Sequence, residues 1–132
     1  MNVSIEKQKD GSYIAYNTDC EGLSLIGTGG TVAEAKDDFF TSMQETAEAC
    51  REAGLPLPAG LEEDPVFRFD VASLFEYYSM INVSALARYL GINEALMRQY
   101  RSGGTYISEA QLKRIEDGIH VLGKEFMNLR LV

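Results

Sequence analysis

The sequence predicts an α+β chain: a small β-β-β-α-β module over residues 1–70, followed by an all-α helix-turn-helix module over residues 71–132. Three observations predict it. Apolar residues alternate with polar ones on either side of Asp10-Gly11; they recur at three- and four-residue steps between Val32 and Cys50; and further helical runs follow residue 80. Periodicities segregated in this way build a sheet with a helix on one face, then helices alone.

Each element has its own signal. VSIEKQKDGSYIAYN reads as a hairpin, with Val3, Ile5, Tyr13 and Ala15 in alternation. Asp10-Gly11 between them accepts the positive φ of a type I′ turn. A third strand is expected over residues 23–27. Thr31 and Glu34 have capping-box spacing, and Val32, Ala35, Phe39, Met43, Ala47 and Cys50 mark one face of a helix over residues 32–53. Gly54 supplies its left-handed stop, with Pro56 and Pro58 beyond. LPLPAGLEEDP connects to a fourth strand, VFRFDV, in which Phe67 and Phe69 alternate. VASLFEYYSMI is then a short apolar helix, expected to brace the second module or its dimer contact.

VSALARYLGINEALMRQY has the pattern of two short helices crossing at a turn. Such a pair needs a small residue at the crossing and a bend residue between the helices. Ala87 and Gly91 stand at those places, and Leu86, Leu90, Ile92, Met97 and Tyr100 fall where apolar side chains close the pair. Asn93 is a natural N-cap. Arg98 and Gln99 lie away from Met97 and Tyr100, on the side that reaches base edges or phosphates. The candidate DNA-binding residues are therefore Ser84, Asn93, Glu94, Ala95, Arg98, Gln99, Arg101 and Ser102. Ser108 and Gln111 repeat the capping-box spacing, and Leu112, Ile115, Ile119, Leu122, Phe126 and Leu129 form a nearly heptad seam. Part of that seam closes the helix-turn-helix core, and the excess suits a homodimer or higher homo-oligomer. A helical hairpin that touches no nucleic acid has the same apolar pattern.

Composition excludes several classes. At 45% apolar and 24% charged residues the chain is too apolar for disorder, and no apolar run reaches the roughly 18–20 residues of a membrane span. The opening MNVSIEKQKD lacks the regions of a secretory signal, so a cytoplasmic protein is expected. Cys20 and Cys50, outside any CxxC spacing, read as free buried thiols in a reducing compartment. Charge is distributed unevenly. Residues 1–80 hold 5 Lys/Arg against 15 Asp/Glu, a net of −10, whereas residues 81–132 hold 7 against 5, a net of +2. The first part would repel a phosphate backbone and attract something basic, and the second could tolerate DNA; an acidic surface that serves solubility alone fits the first part equally well.

Catalytic chemistry is not apparent. Asp19, Glu21, Asp37 and Asp38 are available carboxylates, but two-metal hydrolysis needs carboxylates converging from separate elements. Gly27, Gly29 and Gly30 precede a helix without forming a phosphate-binding motif, so they read as a tight strand-to-helix turn. His120 has no Cys or His at ligand spacing. No catalytic residue, metal or cofactor is expected.

With both modules read, the chain resembles the HicB antitoxins of type II toxin–antitoxin systems. IEKQKDGSYIAY and LSLIGTGGTVAEAKDDF carry the similarity to that family's N-terminal domain, a partial ribonuclease-H-like sheet and helix. SALARYLGINEALMRQYRSG is similar to the Xre-like helix-turn-helix appended in one subgroup. The resemblance implies an N-terminal domain that neutralises a small basic toxin, HicA, itself an mRNA-cleaving ribonuclease. It also implies a C-terminal domain that dimerises and represses the operon's own promoter. Where many relatives carry a Pro-Asp-Leu-Pro-Gly-Cys-like segment, this chain has Asn17-Thr18-Asp19-Cys20-Glu21-Gly22. Two other readings stand beside this one. The first is a solitary DNA-binding regulator whose N-terminal domain senses a ligand or oligomerises; the second is a metal-dependent nuclease built on the N-terminal carboxylates.

Overall fold

In the computed structural model, which describes residues 1–132, four strands form one mixed sheet in the order β3-β2-β1-β4. They are β1 (Asn2–Lys7), β2 (Tyr13–Asn17), β3 (Ile26–Gly29) and β4 (Val66–Phe69). The β1–β2 and β2–β3 pairs are antiparallel, whereas β4 runs parallel to β1. A parallel pair needs a long crossover, and α1 (Val32–Glu52) supplies it. Val3, Ile5, Tyr13, Ala15 and Leu25 meet Val32, Ala35 and Phe39 of α1 in one buried cluster. The chain is thus α+β, with the sheet in its first part and helices alone in its second.

Two local expectations change. The hairpin turn is closed by Gly11 N donating to Gln8 O at 3.0 Å and Gln8 N donating to Ser12 O at 2.7 Å. Gly11 lies at φ 86° and no non-glycine residue has positive φ, so Asp10 does not take the left-handed conformation that a type I′ turn requires. Instead the Asp10 carboxylate accepts from Ser12 N and Oγ at 2.8 and 2.6 Å, which holds its carboxyl below the usual range. The third strand begins later than expected, at Ile26. Asn17 explains the shift: its Nδ2 donates to Leu23 O at 2.6 Å and its Oδ1 accepts from Leu25 N at 2.7 Å. That one side chain occupies backbone groups that a strand partner would have taken.

Helix α1 starts and stops where its signals stand. Thr31 Oγ accepts from Glu34 N at 3.1 Å, while the Glu34 carboxylate reaches back to Gly30 N at 2.8 Å. Gly54, at φ 68°, follows the C-cap. Gly27 and Gly29 sit within or at the end of β3 under the first turns of α1; a β-carbon at Gly27 would lie 2.7 Å from Phe39 Cα and collide with Ala35 O and Phe39 N. These glycines therefore set the helix-to-sheet distance, which is more than forming a turn. Only the first part of α1 is buried. A 21-residue helix spans about 30 Å, whereas the four-residue β3 beneath it spans about 13 Å. Met43, Ala47 and Cys50, expected on the buried face, are consequently half-buried.

The chain forms two compact units that meet between Met80 and Ile81, ten residues beyond the expected 70/71 boundary. The displaced element is α2 (Val71–Tyr77), which packs with β1, α1 and β4 and belongs to the first unit. Asp70 fixes it there: one carboxylate oxygen caps α2 through Ser73 N at 2.8 Å, and the other accepts from Lys7 N of β1 at 3.0 Å. The Phe69 and Tyr77 rings stack with centroids 5.7 Å apart. An expected brace for the second module is thus a brace for the first.

The second unit contains α3 (Val83–Leu90), α4 (Glu94–Ser102) and α5 (Glu109–Asn128). Val83, Leu86, Ala87, Ile92, Met97, Tyr100 and Ile115 are its buried residues. Asn82, Asn93 and Ser108 cap the three helices through Ala85 N, Leu96 N and Gln111 N. Gly118 allows α5 to approach α3, since a β-carbon there would collide with Leu90 Cδ2. Of the expected seam, Ile115 is buried and Ile119 and Leu122 are half-buried, whereas Leu112, Phe126 and Leu129 are exposed. No helix is long and apolar enough to cross a membrane.

Candidate nucleic-acid interface

Helices α3 and α4 meet through a turn whose geometry follows from Gly91. That residue adopts φ 71°, closing α3 with its N–H directed to the carbonyls of Ala87 and Arg88. Ile92 N then donates to Ala87 O at 2.9 Å, and Ala87 is fully buried. Across the turn, Arg88 and Glu94 form an ion pair. Arg114 of α5 donates to Gly91 O at 3.2 Å, so all three helices contribute to holding the turn.

The candidate residues divide by what they already hold. Asn93 Oδ1 is committed to capping α4 at 3.0 Å from Leu96 N, and Glu94 to Arg88. Both position α4 from within. Ala95, Arg98, Gln99 and Ser102 are exposed and follow one another at steps of three, one and three, which places them in one stripe opposite buried Met97 and Tyr100. Arg98 Nη1 donates to Ser84 Oγ of α3 at 3.0 Å, joining the two helices along that stripe. Ser102 Oγ donates to Arg98 O at 3.1 Å. Arg101 is exposed on the last turn of the same helix. An α-helix is about 10–12 Å across with its side chains, a diameter that a major groove about 12 Å wide admits.

Sequence spacing missed Arg88 and Arg114. Their exposed guanidinium groups flank the same turn, and Arg88 is 64% exposed despite its ion pair. Helical phase alone places Arg88 on the outer side of α3, but its proximity to Glu94 is visible only once the turn is closed.

The first unit presents the opposite chemistry. Asp19 accepts from Asn2 N at 2.9 Å, and this hydrogen bond lowers its pKa. Asp38 accepts from Thr28 N at 2.8 Å. No three His, Cys, Asp or Glu side chains gather at one point. Both cysteines are free and only half-buried. Burial pushes the Cys20 thiol upward, with the Asp19 charge next in effect, which disfavours the nucleophilic thiolate. Glu34 and Asp38 occupy amides at the strand-to-helix segment where an anion would sit.

Compared with protein-family models, curated proteins and solved structures, the chain matches none.

Proposed function

We propose that the chain is an antitoxin and autorepressor of the HicB kind. In this reading the first unit is a partial ribonuclease-H-like domain that binds and neutralises a small basic toxin. The second is a helix-turn-helix domain that dimerises and reads operator DNA in the cytoplasm. One observation carries the reading: the chain changes from a net charge of −10 to +2 at the place where its two compact units divide. Two binding chemistries, one for a cation-rich protein and one for a polyanion, are thereby separated in two bodies.

Within the second unit, α4 is the recognition helix. Ala95, Arg98 and Gln99 face base edges, Arg101 and Ser102 face the phosphate backbone, and Asn93 and Glu94 hold the helix in place. A net charge of only +2 gives little non-specific affinity, so binding depends on paired half-sites and base contacts. The exposed Phe126 of α5, with Leu129 just past the helix end, supplies the dimer contact. The test for DNA is anisotropy on the promoter fragment upstream of the gene. Arg98→Ala and Gln99→Ala should each weaken binding by about 1–3 kcal/mol with unchanged thermal unfolding. Wild-type affinity in both variants would place the groove contacts elsewhere.

For the toxin, the full chain should co-purify with the small basic product of a neighbouring gene and relieve the growth arrest it causes. Absence of a complex at micromolar concentrations would reject the antitoxin reading. The runner-up is a solitary DNA-binding regulator whose first unit senses a ligand or oligomerises.

A further inference from the structure

We infer that the groove between the second half of α1 and the short 3-10 helix at Ala59–Glu62 docks a basic, apolar-faced segment of a partner protein; this rests on the first unit being the partner-binding end. The groove exists because α1 outruns its sheet. Phe40, Met43 and Ala47 line one side of it and Leu61 the other, enclosing about 500 Å³. Phe40 is 40% exposed, although its ring packs edge-on against Phe67 at 5.8 Å. An aromatic ring held from behind and open in front is a rigid anchor for another chain.

The rim chooses the partner. Gln44 and Glu48 line it from α1, and exposed Glu62 and Asp64 follow the lining residue Leu61 in the sequence. The one cation in the lining, Arg51, sits in the last turn of α1, where it complements the helix dipole. A nucleic acid meets repulsion from a unit whose net charge is −10. A small molecule finds no buried polar group to orient it, since the single buried unpartnered polar atom, Ser73 Oγ, is not in the lining. A second copy of the first unit brings another net charge of −10. An apolar floor on a unit of net charge −10 fits an amphipathic segment rich in Lys or Arg.

The probe is a synthetic two-heptad Leu/Lys peptide titrated into the isotopically labelled full chain at physiological salt. Amide shifts should concentrate around Phe40, Met43, Ala47 and Leu61. Ala47→Arg and the charge-reversal pair Glu48→Lys/Glu62→Lys should each weaken binding at least about tenfold. Both place their changes on half-buried or exposed positions, and amide spectra report whether the fold is kept. Glu6→Gln, which alternates with buried Ile5 on β1 and so stands on the sheet face away from α1, should leave binding unchanged. Shifts spread over the whole acidic surface, or equal binding by Ala47→Arg, would overturn the groove. The two proposals fail separately. If the neighbouring basic protein binds wild type and Ala47→Arg equally, the groove falls and the antitoxin reading stands. If that protein does not bind wild type but the peptide seats in the groove, the antitoxin reading falls and the groove stands.

Discussion

The two long helices, α1 and α5, are nearly the same length and both outrun the structure that supports them, yet their free halves differ. The overhang of α1 is walled by the 3-10 helix and carries Gln44, Glu48 and Arg51 beside its apolar residues. The overhang of α5 has no such wall: Phe126 is 64% exposed on it and Leu129, just past its end, is 58% exposed. A shaped groove with a charged rim recognises something unlike itself. A bare apolar helix face is satisfied by a helix like itself. On the proposed reading, the difference matches a foreign partner to the first unit and a second copy to the second.

The strongest way to break this comparison is at the glycines that anchor each helix. At Gly27 a new β-carbon meets the α1 backbone, which cannot move aside. Gly27→Ala should therefore cost more than about 3 kcal/mol and unfold the first unit. Gly118→Ala meets only a terminal methyl of Leu90. The helix-propensity gain of about 1 kcal/mol offsets that repacking, so stability should stay within about 1 kcal/mol of wild type. The chain lacks tryptophan, so residue-resolved amide exchange in urea is the suitable measurement. Equal losses at the two positions would show that α1 and α5 are held in the same way.

A smaller effect tests the bare face. Phe126→Glu should convert dimer to monomer in sedimentation at micromolar concentration while the melting curve of the monomer stays unchanged. Retained dimers would move the self-contact off α5. Smallest is Ser73→Ala: Ser73 Oγ is buried without a hydrogen-bond partner, and its removal should raise the stability of the first unit by about 1 kcal/mol. Destabilisation instead would mean that the hydroxyl is satisfied in solution.

What the residues disclosed depended on range. The limits of α1 were legible because Thr31, Glu34 and Gly54 act within one helical turn of the ends they define. The start of β3 was not, because Asn17 substitutes a side chain for strand pairing six and eight residues away. Helix α2 was assigned to the wrong module because an apolar aromatic helix reads the same whichever core it joins, and only Asp70, shared between Ser73 and Lys7, decides. At the candidate interface, the exposed stripe on α4 follows from helical phase. The roles of Asn93 as cap and Glu94 as the partner of Arg88 need the closed turn. Gly118 is audible in the sequence only as an unexplained glycine inside a helix.

The central claim, that separate units carry separate binding functions, is tested most directly by growth rescue. The neighbouring basic protein and this chain are expressed from unrelated promoters, with the chain as wild type, Ala47→Arg, or the double variant Arg98→Ala/Gln99→Ala. Wild type and the double variant should restore growth, and Ala47→Arg should not. Loss of rescue in the double variant with retention in Ala47→Arg would contradict the division of labour, placing the toxin contact on the second unit.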